Sequence, residues 1–272
     1  MLSTLATLLD RLDSRAMSGT RVIPWGCPVP VFGDLTVAQV ATVGINPSNL
    51  EFMDESGNEL EGTARRFHTL MSLGLSSWGE ADSRHLETIE HSCRTYFARN
   101  PYDRWFKRLD SVIAGMNASY YNKAVLTKPQ YIACHLDLFP YATLCKWTEL
   151  SGRERGTLLR LAGDTLAILL RDSHLQVVIL NGHSVVKHFE ELTGIGLQSS
   201  AMPAWSLPRR SGQDVPGIAF TAAIDELSGV GLGRRVLILG FNHNVQSSFG
   251  VTSEVLREMR KWMTVATRGS AR

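Results

Sequence analysis

Four short runs of apolar residues punctuate the chain, at 35–43, 131–138, 175–180 and 236–239. Each is rich in β-branched residues and leucine and too short for an ordinary helix, so each predicts a strand. The last two are nearly continuous in apolar character, as expected of strands covered on both faces. Between the runs the period lengthens. Leu2, Leu5, Leu9 and Leu12 recur at helical spacing. Ser151 with Glu154 forms a capping-box signature that opens a helix expected to run to about Leu170. Asn100-Pro101 supplies a cap and a first-turn proline ahead of Trp105, Leu109, Val112 and Ile113. Ser253 is placed to cap a last helix carrying Val255, Leu256, Met259, Trp262 and Met263. Arg260 and Lys261 near that helix's end suit its dipole.

Strands that alternate with helices predict an α/β fold. The expectation is one domain over 1–272, a three-layer α/β/α sandwich around a central, mostly parallel sheet of four strands. The segment 76–128 is long for a connection and predicts an inserted helical region. The stretch 198–232, rich in Ser, Pro and Gly, predicts a long loop. Open α/β sheets place their sites beyond the carboxyl ends of the strands. Polar residues gather at those ends in this chain: Asn46-Pro47-Ser48-Asn49, Asp137, Asn181 and His243-Asn244.

Composition narrows the reading. With 44% hydrophobic and 20% charged residues the chain is ordinary globular protein rather than a disordered segment. Net charge is 28 − 26 = +2, too small to dictate a nucleic-acid partner, although it permits a local basic face. Cys27, Cys93, Cys134 and Cys145 form no CxxC pair. That argues against a zinc ribbon, and scattered thiols suit a reducing cytoplasm. No apolar stretch is long enough to span a membrane, and Asp10 and Asp13 interrupt any signal-peptide core. No phosphate-binding glycine motif follows a strand, which disfavours an unrelated nucleotide or sugar-phosphate enzyme.

The strand-end motifs, taken in order, resemble those of the uracil-DNA glycosylase superfamily. Gly44-Ile45-Asn46-Pro47 is similar to its first motif in the mismatch-specific and thymine-DNA glycosylase branch. Arg66-Phe67-His68 through Leu73-Gly74-Leu75 resembles the helix that follows there. Leu180-Asn181-Gly182-His183 resembles a strand end of those enzymes, and His243 through Ser248 occupies the place of the second motif. The likeness covers roughly 35–75 and 130–262. The last motif departs from the pattern by lacking its proline.

The resemblance implies a monofunctional DNA glycosylase that flips a base from the stack and hydrolyses its N-glycosidic bond. Asn46 would orient the attacking water, and His243 would stabilise charge developing on the departing base. As a neutral imidazole, His243 could do this without proton transfer. The strand holding Asp137 carries a base-reading Asn in the resembling enzymes. An ionised Asp only accepts hydrogen bonds, and so suits the amino group of a cytosine-type base. Gly44, Ile45 and Asn181 would line the base pocket, and Phe52 could stack on the base. Ser48, Asn244, Gln246, Ser247 and Ser248 are small polar groups suited to phosphate oxygens of the flanking DNA. Five of these also have a plainer reading: Asn46-Pro47 as a turn, His243 as a loop histidine with no special task, Asp137 paired with an arginine, Phe52 as core, Asn181 as a strand end.

The segment 84–108 interleaves Arg84, Arg94, Arg99, Arg104, Lys107 and Arg108 with Tyr96, Tyr102, Trp105 and Phe106, a composition suited to DNA backbone contact. Arg209-Arg210 could probe the duplex. No lysine falls in the matched motifs, so no Schiff-base nucleophile and no lyase step are expected. One superfamily branch carries an iron–sulfur cluster on cysteines spaced differently from these. No metal and no cofactor are expected, and the protein is expected to act as a monomer. The substrate would be a hypermodified cytosine, as in relatives that defend bacteria against phage, or else uracil or mismatched thymine in base-excision repair. The alternative is a protein of this fold that binds modified DNA without cutting it.

Overall fold

The computed structural model describes residues 1–121, 130–209, 212–246 and 248–269. Its centre is β1 (Val40–Gly44), whose five residues are all buried. β1 pairs in parallel with β3 (Tyr131–Asp137) on one side and β4 (Val177–Asn181) on the other. β4 pairs in parallel with β7 (Val230–Phe241). These are the four apolar runs, and they lie side by side in the order β3-β1-β4-β7.

The sheet does not stop at four strands. Among the described residues it has seven and is mixed, in the order β2-β3-β1-β4-β7-β6-β5. β2 (Ala118–Ser119) adds a parallel edge to β3. β6 (Ile218–Leu227) and β5 (Gln198–Ala201) extend the other side antiparallel. The expected loop at 198–232 is therefore largely sheet. Its strands carry Ala, Thr and Ser on an exposed flank, so they lack the apolar run that marks a central strand. β6 turns into β7 through Ser228 and Gly229, both at positive φ (50° and 78°), the backbone of a tight hairpin turn.

Helices cover the sheet. In α1 (Leu2–Leu12) the buried face is Leu5, Leu8, Leu9 and Leu12, while Leu2 is 40% exposed. α2 (Leu70–Leu73) is a single turn. The segment expected to be helical supplies α3 (Ser83–Arg94) and α4 (Asp103–Ile113) before it ends in β2, and 122–129 lie outside the described residues. α4 begins two residues after Pro101, and the Asn100 amide donates to Ala64 O (2.9 Å) instead of capping.

The capping box at Ser151 is present, but Gly163 (φ 57°) divides the expected helix into α5 (Gly152–Ala162) and α6 (Thr165–Arg171). α7 (His183–Thr193) follows β4 directly and lies against β4 and β7. α8 (Ser253–Gly269) packs on α4. Its first turn is capped by Thr252, whose hydroxyl accepts from Val255 N (3.3 Å), rather than by Ser253. One connected cluster of buried residues runs from Leu5 to Met263. Among the described residues no helix is long and apolar enough to cross a membrane.

Candidate functional site

Strand register places the chemistry. Gly44 is level with Asp137 across β1–β3, and Val43 is level with Leu180 across β1–β4, which brings Asn181 beside Gly44. Asn181 is level in turn with Phe241. The carboxyl ends of the central strands thus form one row, and the strands that follow β1 in the chain lie on both sides of it, β2 and β3 on one and β4 and β7 on the other. A cavity of about 390 Å³ opens above the row. That lies in the range of about 300–1,000 Å³ usual for small-molecule sites. Gly44, Ile45, Asn46, Ser48, Asp137, Asn181 and Asn244 all contribute to its wall. Glycine at 44 leaves room for the two β3 side chains: a Cβ there would displace Asp137 Oδ1 and press on the His135 ring.

Asn46 is held with its amide in one orientation. Nδ2 reaches Pro47 O (3.1 Å), Tyr141 O (3.4 Å) and Thr143 Oγ1 (3.1 Å). The carbonyls can only accept, and the Thr143 hydroxyl spends its own hydrogen on Cys145 O (2.8 Å). All three partners therefore call for the NH₂ end. Oδ1 is the acceptor the side chain keeps for a ligand or a water.

β3 contributes two side chains to the same wall. His135 and Asp137 are two residues apart on a strand and so share a face. His135 Nε2 lies 3.5 Å from Asp137 Oδ1, and Nδ1 lies 2.7 Å from Thr42 Oγ1. Thr42 is bonded in turn to the buried Tyr120 hydroxyl. Asp137 is itself buried, beside a histidine rather than an arginine.

The turn after the first motif adds a second buried carboxyl, Glu51. The Tyr96 hydroxyl lies 2.9 Å from both its oxygens. Arg66 is 3.9 Å away, with Nη1 donating to Leu50 O (2.6 Å) and Nε to Asn100 O (3.1 Å). Loss of water lifts the Glu51 pKa to about 8, against the pull of Arg66 and Tyr96 and helped by the charge of Asp137.

On the far side, Asn181 braces the last loop. Its Oδ1 accepts from Val245 N (3.1 Å), and its Nδ2 donates to Gln246 Oε1 (2.5 Å). Gly182, at φ 104°, lets the backbone pass against Asn244.

Several expected placements change. His243 is buried and turned from the cavity, with Nε2 donating to Trp205 O (2.8 Å). Desolvation holds its pKa below the ordinary imidazole value, the Trp205 carbonyl opposing. Asn244, the next residue, lines the cavity in its place. Phe52 is buried against Trp25 and Phe67 and is not among the residues that line the cavity. The aromatic walls are instead Phe32, Tyr102, Trp105, Phe106 and Trp147.

The phosphate-type donors also differ. The Ser48 hydroxyl accepts from Leu50 N (3.2 Å) and so caps the turn 49–51. Gln246 points inward to Asn181. Ser248 bonds back to Asn244 O through its amide (2.8 Å) and lies well ahead of α8. Ser247 and Arg210 lie outside the described residues. In the basic stretch, Tyr96 is core, Tyr102, Trp105 and the buried Phe106 line the cavity, and Lys107 pairs with Asp103 at 2.7 Å.

Sequence reasoning did not single out Glu51, His135 or Lys146. The period-two spacing of His135 and Asp137 on a predicted strand was a usable signal. Lys146 is an exposed lysine in the cavity wall, brought there from outside the motifs by the chain after β3. Nothing local marks Glu51 as buried. No protein-family model matches the chain, and no curated protein matches its sequence.

Proposed function

We propose that the chain is a monofunctional DNA glycosylase of the uracil-DNA glycosylase superfamily, with that superfamily's three-layer α/β/α organisation. It hydrolyses the N-glycosidic bond of a flipped pyrimidine, a modified cytosine in preference to uracil, and acts as a cytoplasmic monomer on DNA. The observation that carries this reading is Asn46: at a strand end, in the wall of a base-sized cavity, with its NH₂ engaged and its carbonyl kept as an acceptor. An acceptor of that kind orients a water without being a strong base, which suits a transition state resembling an oxocarbenium ion. Asp137 supports the cytosine preference, because a buried carboxylate accepts from an exocyclic amino group and repels a carbonyl. Tyr102 and Trp105 provide aromatic surface in the wall for a flipped base.

One observation favours a second reading, a protein that binds modified DNA without cutting it. His243 is committed to Trp205 O and is not free to stabilise a departing base. Base release separates the two. Oligonucleotides carrying uracil, mismatched thymine, cytosine, 5-hydroxymethylcytosine or its glucosylated form would be incubated with the protein and with Asn46→Ala, then treated with alkali. Strand breaks at a cytosine derivative, slowed by about 10²-fold or more in Asn46→Ala, are the expected result. Tight DNA binding with no strand breaks on any substrate supports the binding protein. Release of uracil alone keeps the glycosylase and removes the cytosine preference.

A further inference from the structure

We propose that Glu51 is the acid that protonates the departing base. This rests on the glycosylase reading above and adds to it the group that makes a cytosine-type base able to leave.

The starting point is a deficit. The bond to N1 breaks with its electron pair going to the base, and something must meet that charge. His243 is spent on Trp205 O. A cytosine-type base also lacks the second ring carbonyl over which uracil spreads negative charge, so it leaves poorly as an anion. It does carry a lone pair at N3, where uracil carries a hydrogen. A neutral carboxyl beside that edge offers what the base needs: a proton for N3.

Glu51 is built to be that carboxyl. It lines the cavity from the turn just beyond Asn46 and is 2% exposed. Arg66 and Tyr96 favour its charged form but do not outweigh the loss of water on burial. Arg66 stands at 3.9 Å with its Nε and Nη1 donated to backbone carbonyls. The Tyr96 hydroxyl has one hydrogen to give and already accepts from Tyr102 N (2.8 Å), so it satisfies one Glu51 oxygen at a time. The other oxygen is left to carry a proton. Asp137, in the same wall, adds a like charge that favours the protonated form. Two buried carboxyls in one cavity wall, one favouring its neutral form and one able to accept, is the arrangement that divides acid from acceptor.

The step balances. The C1′–N1 bond breaks with its pair going to the base, and the Glu51 O–H bond breaks as its proton reaches N3. The base leaves neutral. The water held by Asn46 adds to C1′ and loses a proton to solvent, and the Glu51 carboxylate recovers one from solvent.

The test is single-turnover base release from a 5-hydroxymethylcytosine duplex and a uracil duplex, by the full chain and by Glu51→Gln, from pH 6 to 9. Glutamine keeps the shape and a partner for Tyr96. The groups that face Glu51 are Arg66, Tyr96 and Asp137, with His135, Tyr102 and Lys146 around the same cavity. Comparison with Glu51→Gln separates their titrations from that of Glu51. The native rate on the cytosine derivative is expected to fall as pH rises through about 8. Glu51→Gln is expected to be slower by about 10²–10⁴-fold on that duplex, less affected on uracil, and without that fall.

A native rate that stays level or rises through that range overturns the assignment, whatever the variant does. So does a Glu51→Gln rate within about threefold of native, or a slow variant that keeps the pH fall, which would mark a structural role. In each of those cases base release by the native chain leaves the glycosylase reading intact. Absence of release from every duplex overturns the glycosylase reading and this inference with it.

Discussion

Asn46 shows how far a single side chain depends on what surrounds it. Its NH₂ meets two backbone carbonyls and a hydroxyl whose hydrogen is already used. Asn46→Asp would set carboxylate oxygens against Pro47 O and Tyr141 O, leaving buried acceptors without a donor. The expected cost is roughly 1–3 kcal/mol, read by urea denaturation at neutral pH. An unchanged midpoint would show that the amide is not held as described.

Glu51 carries the opposite sign. Its folded pKa of about 8 exceeds the ordinary 4.5, so between those values the folded chain keeps a proton that the unfolded chain has released. Stability from this group is full below about 4.5 and is lost as pH rises through 8. Glu51→Gln removes that loss. The variant is expected to be more stable than the native chain near pH 8–9 by at least about 1 kcal/mol, with a smaller difference near pH 5. Thermal melts at the two pH values check it, and a difference independent of pH would contradict the assigned burial. A site residue whose replacement stabilises the fold is the usual trade between stability and function.

At the scale of elements, the β6–β7 hairpin is the largest departure from what the residue pattern predicts. A stretch rich in Ser, Pro and Gly reads as loop because no single strand in it is apolar on both faces. It forms strands because β7 is already anchored to β4 and offers β6 a ladder of backbone partners, interrupted by one register shift between Ile224 and Glu226. The turn has a local requirement of its own. Gly229 sits at φ 78°, and a Cβ there would meet nothing within 4 Å. Gly229→Ala therefore tests backbone conformation alone, with an expected loss of about 1–2 kcal/mol. A melt unchanged from native would mean that the turn relaxes to another form. The capping box at Ser151 was legible because it depends only on residues three apart. The break at Gly163 was not, because an isolated glycine in a helical pattern is usually tolerated.

At the scale of the whole molecule, a small net charge means that the DNA binding proposed above would rest on local placement of charge. Lys146 is exposed in the cavity wall, where a flipped nucleotide would bring its phosphates. Binding to duplex oligonucleotides is expected to weaken with salt, and Lys146→Ala is expected to lower the log–log slope by roughly one while weakening all sequences alike. Fluorescence anisotropy at several salt concentrations measures both. A slope that does not move would route the DNA past another face.

The division between sequence and tertiary structure follows the range of the forces. The four central strands, the helical stretches and the polar residues at the strand ends were legible because they depend on burial period and on neighbours in the chain. Asn46, Asp137 and Asn181 fell into one wall by the same logic, since strand ends in a parallel sheet must align. The orientation of His243, the burial of Glu51 and Phe52, and the arrival of Lys146 were decided by packing between segments far apart in sequence. Trp205 comes from the stretch between β5 and β6, and Tyr96 from the insertion before β2. Only when these segments are assembled does the carbonyl reach His243 or the hydroxyl reach Glu51. Local chemistry chose the strands and the row of their ends; the assembled fold chose which polar groups face the cavity and which carboxyl keeps its proton.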